Sequence, residues 1–193
     1  ARHMSLDMPV AIKFMSAHAD VDLESRQRFD REARALATLR TPHIVQVLDH
    51  GVDDDVPYIV MEHLEGEDLS ARLGQRKRLP LDQTSRILAQ VARGLRRAHE
   101  VGITHRDLKP SNIFLARIDD EEVVKVLDFG VAKLGAAGLL DDSQLTKAGT
   151  LLGSPGYMSP EQARGKEVDF RSDLWALAVI IFRACTGTKP FAG

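Results

Sequence analysis

The sequence has little of what would mark a secreted, membrane-spanning or nucleic-acid-binding protein. Among its 193 residues Cys185 is the single cysteine, which excludes an internal disulfide and favours a reducing, cytoplasmic setting. The longest apolar run, residues 175–182, is much shorter than the about 20 residues of a transmembrane helix, so a membrane anchor would have to lie outside this segment. A formal net charge of −2 gives no bulk attraction to nucleic acid or to an anionic membrane. Phosphate binding would therefore have to come from local geometry.

Apolar periodicity indicates an α+β chain in which strands come first and helices later. Alternating residues predict strands at 10–14, 44–48 and 58–61, with an Asp-rich hairpin loop between the last two, and helical spacing predicts a helix over 22–39. A polar break at 65–68 precedes a helical part with short strands at 113–115 and 123–127. Helices are predicted there at 68–75, at 82–100 with Asp82 as the N-cap, and at 172–186, the last one buried on most sides and carrying Cys185 as a buried thiol.

Two motifs carry most of the functional information. Residues 105–112 read His-Arg-Asp-Leu-Lys-Pro-Ser-Asn, and sixteen positions after Asn112 the chain reads Asp-Phe-Gly at 128–130. A loop with an Asp and an Asn, followed by a strand that ends in Asp-Phe-Gly, resembles the protein kinase family. Lys109, two places after Asp107, resembles the Ser/Thr branch of that family. Residues 159–165 (Ser-Pro-Glu-Gln-Ala-Arg-Gly) and 62–66 are similar to segments of bacterial Hanks-type kinases.

The resemblance implies a role for each polar residue of the first motif. Asp107 would accept the proton of the attacking hydroxyl, and Lys109 would place its charge on the transferring phosphate. Asn112 would offer its side-chain oxygen to one Mg²⁺, or Mn²⁺, on the phosphates of ATP, and Asp128 would hold the other. Asp173, at the start of the last predicted helix, is similar to the buried carboxylate that anchors this loop in kinases.

Two upstream residues resemble the phosphate-binding pair of kinases. Lys13 ends a predicted Val-Ala-Ile-Lys strand and would contact the α- and β-phosphates of ATP. Glu32, on the predicted helix, would hold the Lys13 side chain. Alone, a lysine on a strand is more often a solvent-exposed edge residue, so this prediction depends on the joint order of all the motifs.

The adenine base would be bound where the two halves of the chain meet. The purine would lie between Ala11 and Phe114, beside Met61 as the gatekeeper residue. Backbone groups of the segment from Glu62 to Leu64 would form hydrogen bonds to its edge. All of these assignments follow from the resemblance and not from the spacing of the residues.

The segment between residues 130 and 159 resembles a kinase activation loop. Thr146 and Thr150 are the predicted regulatory phosphosites, and a phosphate on either would pair with Arg106, the residue before Asp107. Ser154 lies in a Gly-Ser-Pro-Gly-Tyr stretch that resembles the loop on which kinases dock the substrate backbone. A serine at this place accompanies Ser/Thr specificity in the family.

The resemblance covers residues 1–193 but not a whole kinase domain. It implies an incomplete, bilobal protein-kinase-like fold, with part of a strand-rich N-lobe at 1–64 and part of a helical C-lobe at 65–193. The glycine-rich phosphate loop of kinases does not fit into the nine residues before Val10, and the C-lobe part ends after the central buried helix. We therefore expect the isolated chain to be weakly active or inactive.

The implied function is ATP-dependent phosphorylation of Ser and Thr hydroxyls on proteins, with protein substrates and a self-phosphorylation dimer as the expected partners. Two alternatives stay open. One is a catalytically inactive pseudokinase or scaffold fragment that binds nucleotide. The other is a small-molecule phosphotransferase of kinase-like fold, against which Lys109 and residues 154–161 argue. A zinc site at His99 and His105 is disfavoured, because their separation does not match a metalloprotease helix.

Overall fold

The computed structural model describes residues 1–14, 23–129 and 155–191, except for the side chains of residues 23–26 and 28. Within these ranges the chain forms two antiparallel sheets and several helices, which confirms the predicted α+β class. The elements in chain order are β1 (Arg2–His3), β2 (Met8–Phe14), α1 (Leu23–Thr38), β3 (Val47–Asp53), β4 (Val56–Glu62), β5 (Gly66–Asp68), α2 (Leu69–Arg76), α3 (Leu81–Glu100), β6 (Ile113–Ile118), β7 (Glu121–Val126), α4 (Pro160–Ala163) and α5 (Arg171–Thr186).

The first sheet has the strand order β1-β2-β4-β3. Strands β3 and β4 form a hairpin closed by Asp54 and Asp55, whose φ angles of 44° and 64° are those of a tight two-residue turn. The predicted hairpin with an Asp-rich turn is confirmed, but its loop is shorter than predicted, because Asp tolerates the left-handed region and the strands therefore run up to this turn. The strand predicted to begin at residue 44 begins at Val47, while Ile44 makes an isolated parallel bridge to Val126 of β7.

Helix α1 packs beside the first sheet through the apolar stripe that its spacing predicts. Phe29, Ala33 and Leu36 are all buried, with 5%, 0% and 5% of their surface exposed. These positions follow one another at four- and three-residue steps, so they lie on one face of the helix. Glu32 is half-buried next to this stripe.

The second sheet has the strand order β5-β6-β7 and packs against α3. The residues of α3 that were predicted to face the core are all buried: Ile87, Val91, Leu95 and Ala98. The β6–β7 hairpin turns at residues 119–120, so both strands are longer than predicted. The first sheet ends at residue 62 and the second begins at residue 66, which brackets the predicted boundary at 64.

Asp82 is not the N-cap of α3. The helix begins one residue earlier, at Leu81, with Pro80 at the cap position and no side-chain cap bond. Asp82 lies in the first turn instead, where its charge complements the helix dipole and its carboxylate pairs with Arg86 at 2.9 Å.

Helix α5 is buried on one side and open on the other. Asp173, Ala176 and Ile180 face the core with 4% exposure or less, whereas Leu174 and Phe182 are 49% and 44% exposed. The predicted burial on most sides is therefore wrong for the described residues, and Cys185 is half-buried rather than buried. Among the helices of the described ranges, none combines the length and the apolar content needed to cross a bilayer.

Candidate active site

The loop at residues 105–112 lies between the end of α3 and β6, and a residue of α5 holds it in place. The two oxygens of Asp173 accept hydrogen bonds from the backbone N–H groups of His105 and Arg106, at 2.8 and 2.9 Å. Asp173 is only 1% exposed, and a carboxylate buried to this extent is tolerated because it is fully hydrogen-bonded. His99 adds a third contact, with its Nε2 2.7 Å from Asp173 Oδ2. The predicted anchoring of the loop by Asp173 is confirmed.

His105 connects this loop to the strand that leads into Asp128. Its buried ring accepts a bond from the Asp107 N–H at Nδ1 (3.2 Å) and lies 2.8 Å from the Leu127 carbonyl at Nε2. A carbonyl can only accept, so the ring is the neutral tautomer with its proton on Nε2. Burial lowers the pKa of His105, against the opposing effect of the Asp173 charge. The ring also contacts Phe129, with 4.8 Å between the ring centroids.

This depressed pKa predicts a specific loss of stability in acid. The unfolded chain takes up the proton below about the ordinary histidine value of 6.5, whereas the folded chain keeps His105 neutral to lower pH. The unfolded state then binds more protons, so the free energy of unfolding falls as the pH decreases from 6.5 through the folded pKa. Urea titrations between pH 7 and pH 5 measure this slope. The variant His105→Gln keeps a donor for Leu127 but does not titrate, and it should have the shallower slope; equal slopes would contradict the prediction.

Asp107 and Lys109 form an ion pair within the loop. Lys109 Nζ lies 2.8 Å from Asp107 Oδ2, and their side chains are 25% and 20% exposed. The predicted base and the predicted phosphate-binding cation are therefore side by side and partly shielded from water. In such a setting the charges act more strongly on a nearby phosphate than they would in bulk water.

Asn112 is oriented by the backbone of the predicted base. Its Nδ2 donates to the Asp107 carbonyl at 2.9 Å, which turns Oδ1 away from that carbonyl as the available ligand atom. Its own backbone carbonyl accepts a bond from the Leu127 N–H at 2.8 Å. This bond places Asn112, which lies just before β6, beside the residue that precedes Asp128, which lies just after β7, so the two predicted metal ligands belong to neighbouring stretches of backbone.

Lys13 reaches the same place from the first sheet. Its Nζ lies 2.8 Å from Asp128 Oδ1, with the two side chains 36% and 31% exposed. Asp128 has a φ angle of 54°, an unusual backbone conformation for a residue other than glycine. Sequence reasoning did not predict this ion pair. Glu32 stays the predicted second partner of Lys13.

The side-chain oxygens of Asn112 and Asp128 suit magnesium ions. Mg²⁺ takes hard oxygen ligands and commonly keeps several waters and substrate phosphates besides one or two protein groups. An amide oxygen just before β6 and a carboxylate just after β7 are ligands of this kind. In the part of the chain that the structure describes, no group of three or more His, Cys, Asp or Glu residues is arranged as a metal cage.

The predicted adenine site lies at the junction of the two sheets. Ala11 of β2 is paired with Met61 of β4, and Phe114 lies half-buried on β6. The backbone N–H of Glu62 already donates to the Gln46 carbonyl at 3.0 Å, so this N–H is not available to a base as predicted. The Glu62 carbonyl and the backbone groups of residue 63 and Leu64 stay the predicted hydrogen-bond partners of the base.

The Glu62 side chain has a structural function that the sequence did not indicate. Its Oε1 accepts bonds from the Gln46 N–H at 2.7 Å and from Lys125 Nζ at 2.6 Å. The Lys125 side chain is 8% exposed, so Glu62 neutralises a buried charge where the two sheets meet. Because 63 residues separate the pair in the sequence, no local pattern could have revealed it.

The predicted regulatory threonines Thr146 and Thr150, and Ser154, lie outside the described residues. Arg106, their predicted phosphate partner, has an exposed side chain next to Asp107. The pairing of a phosphate with Arg106 therefore stays a prediction.

Fold and site together define the class of this protein. A lysine on a strand contacts the Asp of an Asp-Phe-Gly segment, and a nearby loop holds an Asp, a Lys and an Asn close together. This is the arrangement of a protein kinase. The chain belongs to the protein kinase domain family, whose model matches residues 1–193. The bilobal protein-kinase-like fold and the resemblance to bacterial Ser/Thr kinases are thereby confirmed.

Individual relatives agree with this assignment. The chain is 43% identical to the serine/threonine-protein kinase pkn3 of Myxococcus xanthus, over 99% of its own length and 35% of the length of that protein. It superposes on the PknI kinase domain of Mycobacterium tuberculosis with a TM-score of 0.74 and 30% identity, covering 94% of this chain and 65% of that one. It is also similar to Rad53 in complex with AMP-PNP, with a TM-score of 0.75 and 29% identity over 95% of this chain and 43% of that one.

Proposed function

We propose that the protein transfers the γ-phosphate of ATP to Ser and Thr hydroxyl groups of proteins. The observation that carries the proposal is one connected set of contacts: Lys13 to Asp128, Asn112 to the backbone on both sides of the site, and Lys109 to Asp107. The names of the curated relatives and the nucleotide analogue in the Rad53 complex support it. Since the chain spans about a third of the length of pkn3, the proposal concerns the full-length protein.

In this function Asp107 is the proton acceptor. The substrate hydroxyl oxygen forms a bond to the γ-phosphorus, the bond from that phosphorus to the β–γ bridging oxygen breaks, and the hydroxyl proton passes to the Asp107 carboxylate. Lys109 lies within reach of Asp107 and contacts the oxygens of the transferred group. Its positive charge offsets the repulsion between the carboxylate and the phosphate.

Nucleotide binding is the task of the residues on the other side of the site. Lys13 binds the α- and β-phosphates, for which it exchanges part of its contact with Asp128. Asn112 and Asp128 would hold magnesium ions, which would neutralise phosphate charge and orient the phosphates. Protein substrates are the proposed partners, and a second copy of the chain is one of them if the protein phosphorylates itself.

The test is phosphoryl transfer by the full-length protein. With labelled ATP, Mg²⁺ and a mixture of generic protein substrates, we expect label on protein Ser and Thr and its loss when EDTA removes the metal. A rate of self-phosphorylation that rises with the square of protein concentration indicates that one copy of the protein phosphorylates another. Nucleotide binding without transfer would favour the pseudokinase, and label found only on small molecules would favour the other phosphotransferase; either result contradicts the proposal.

A further inference from the structure

The backbone just before Asp107 has an unusual conformation. Arg106 has a φ angle of 63°, in the left-handed region that residues with a side chain rarely adopt. Such a conformation is unfavourable for a residue with a side chain and persists only where the surroundings hold it in place.

Asp173 holds one side of Arg106, and Gln162 of α4 holds the other. Asp173 accepts the Arg106 N–H, while the Arg106 carbonyl accepts a hydrogen bond from Gln162 Nε2 at 2.7 Å. This carbonyl belongs to the same planar peptide group as the Asp107 N–H, which donates to His105 Nδ1. The peptide plane that leads into the predicted base is thus fixed at both its oxygen and its nitrogen.

The carboxamide of Gln162 can serve this purpose in one orientation only. Its Oε1 accepts the backbone N–H of Ser159 at 3.1 Å and lies 3.2 Å from the Ser159 hydroxyl. Because an N–H can only donate and a carbonyl can only accept, Oε1 must face Ser159 and Nε2 must face Arg106. Ser159 is fully buried, and its hydroxyl lies 2.9 Å from that of Ser172, the neighbour of Asp173. The Ser159 hydroxyl therefore links Gln162 to the residue next to Asp173, so the two side chains that hold Arg106 are connected.

We propose that Gln162 is a positioning residue for Asp107, acting through the Arg106 carbonyl. It sets the peptide plane before Asp107 and thereby the direction in which the carboxylate meets the substrate hydroxyl. It also connects α4, which follows the segment at 130–154, to the catalytic loop. The inference rests on the proposed function in so far as Asp107 is the base, but the contact itself does not.

The variant Gln162→Glu separates this role from helix capping. A glutamate keeps an oxygen for the Ser159 N–H, so the capping box of α4 survives. Its second oxygen faces the Arg106 carbonyl oxygen in place of the amide group that donates there in the wild type. Two acceptors then face each other, so the contact becomes repulsive. Gln162→Ala loses both contacts. Ala163→Glu, at the exposed next position, adds the same charge to the same helix without reaching the loop and is the matched control.

In the full-length protein we expect Gln162→Glu to lower kcat roughly tenfold with the KM for ATP within twofold of wild type, because misplacement of a reacting group affects the chemical step. The ratio of variant to wild-type kcat should rise as the pH is lowered, since a protonated glutamate can again donate to the Arg106 carbonyl. A role in capping alone predicts the opposite trend, because protonation weakens a carboxylate cap. Wild-type kcat in Gln162→Glu, or a ratio of variant to wild-type kcat that falls as the pH is lowered, would overturn the proposal.

Hydrogen exchange keeps the inference separate from the proposed function. Mass spectrometry of the peptide around residues 103–109 should show faster amide exchange in Gln162→Glu than in wild type or Ala163→Glu, whether or not the protein transfers phosphate. Unchanged exchange would overturn the positioning role. A wild-type protein without kinase activity but with the expected exchange pattern would instead count against the proposed function alone.

Discussion

Asp107→Asn in the full-length protein is expected to lower kcat for phosphoryl transfer by about 100- to 10,000-fold, the usual range for loss of a positioned proton acceptor. Asparagine has nearly the same shape as aspartate, but its amide cannot take the proton of the attacking hydroxyl. The variant also removes the charge that pairs with Lys109 at 2.8 Å. Steady-state kinetics measure this effect, with saturating ATP and a protein substrate that the wild-type protein has been shown beforehand to phosphorylate.

The fold should not be affected by this change. Asn112 bonds to the backbone carbonyl of Asp107 and His105 to its backbone N–H, so neither contact depends on the carboxylate. We therefore expect the affinity for ATP and the melting temperature to stay near the wild-type values. Asp120→Asn, in the exposed β6–β7 turn, is the control for the same chemical change and should leave kcat unaltered. If Asp107→Asn retained more than about a tenth of wild-type kcat, Asp107 would not be the base.

The sequence predicts well those parts of the structure that depend on residues close together in the chain. The stripe of α3 and the stripe of α1 follow helical spacing, and all their predicted core positions are buried. The catalytic loop is similarly local, because Asp107, Lys109 and Asn112 lie within six consecutive residues. Residues this close in sequence lie near one another in any fold, although the directions of their side chains depend on the rest of the chain.

The contacts that hold the site in place are long-range and were mostly not predicted. Gln162 bonds to a residue 56 positions away, and Lys125 pairs with Glu62 across 63 positions. A glutamine after Ser-Pro-Glu has no local reason to point at the catalytic loop, and a lysine in an apolar strand indicates only that some acidic partner must exist. Asp173 could be predicted by resemblance alone, since its partners are backbone groups that every residue has.

Asp82 and Ile44 show how local rules fail. Asp82 is a good capping residue, but the helix begins at Leu81, with Pro80 at the cap position, so Asp82 lies inside the first turn. Ile44 has strand propensity, but it lies where the chain crosses to β7 and pairs there with Val126 instead of extending β3. For Ile44, the tertiary contact decides between two locally acceptable conformations.

Asp173→Asn should have a large effect on stability for a change of one side-chain group. One oxygen of Asp173 accepts the His105 N–H and contacts His99, and the other accepts the Arg106 N–H. An asparagine has a single acceptor oxygen, so its NH₂ group must face one of the two backbone donors. A buried donor without a partner, together with the loss of charge-assisted bonds, costs roughly 2–4 kcal/mol of unfolding free energy.

The same change should also reduce catalysis, because the freed N–H belongs to the loop that presents Asp107. We expect kcat to fall while ATP binding, which depends on the other side of the site, is largely kept. Urea denaturation of Asp173→Asn and of the exposed control Asp120→Asn gives the stability difference, and kinetics on the same samples gives kcat. Asp173→Ala leaves both N–H groups without a partner and should be less stable than Asp173→Asn. If Asp173→Asn matched the control in both measurements, the catalytic loop would owe its position to His105 and Gln162 alone, and burial of the carboxylate would have no role in presenting the base.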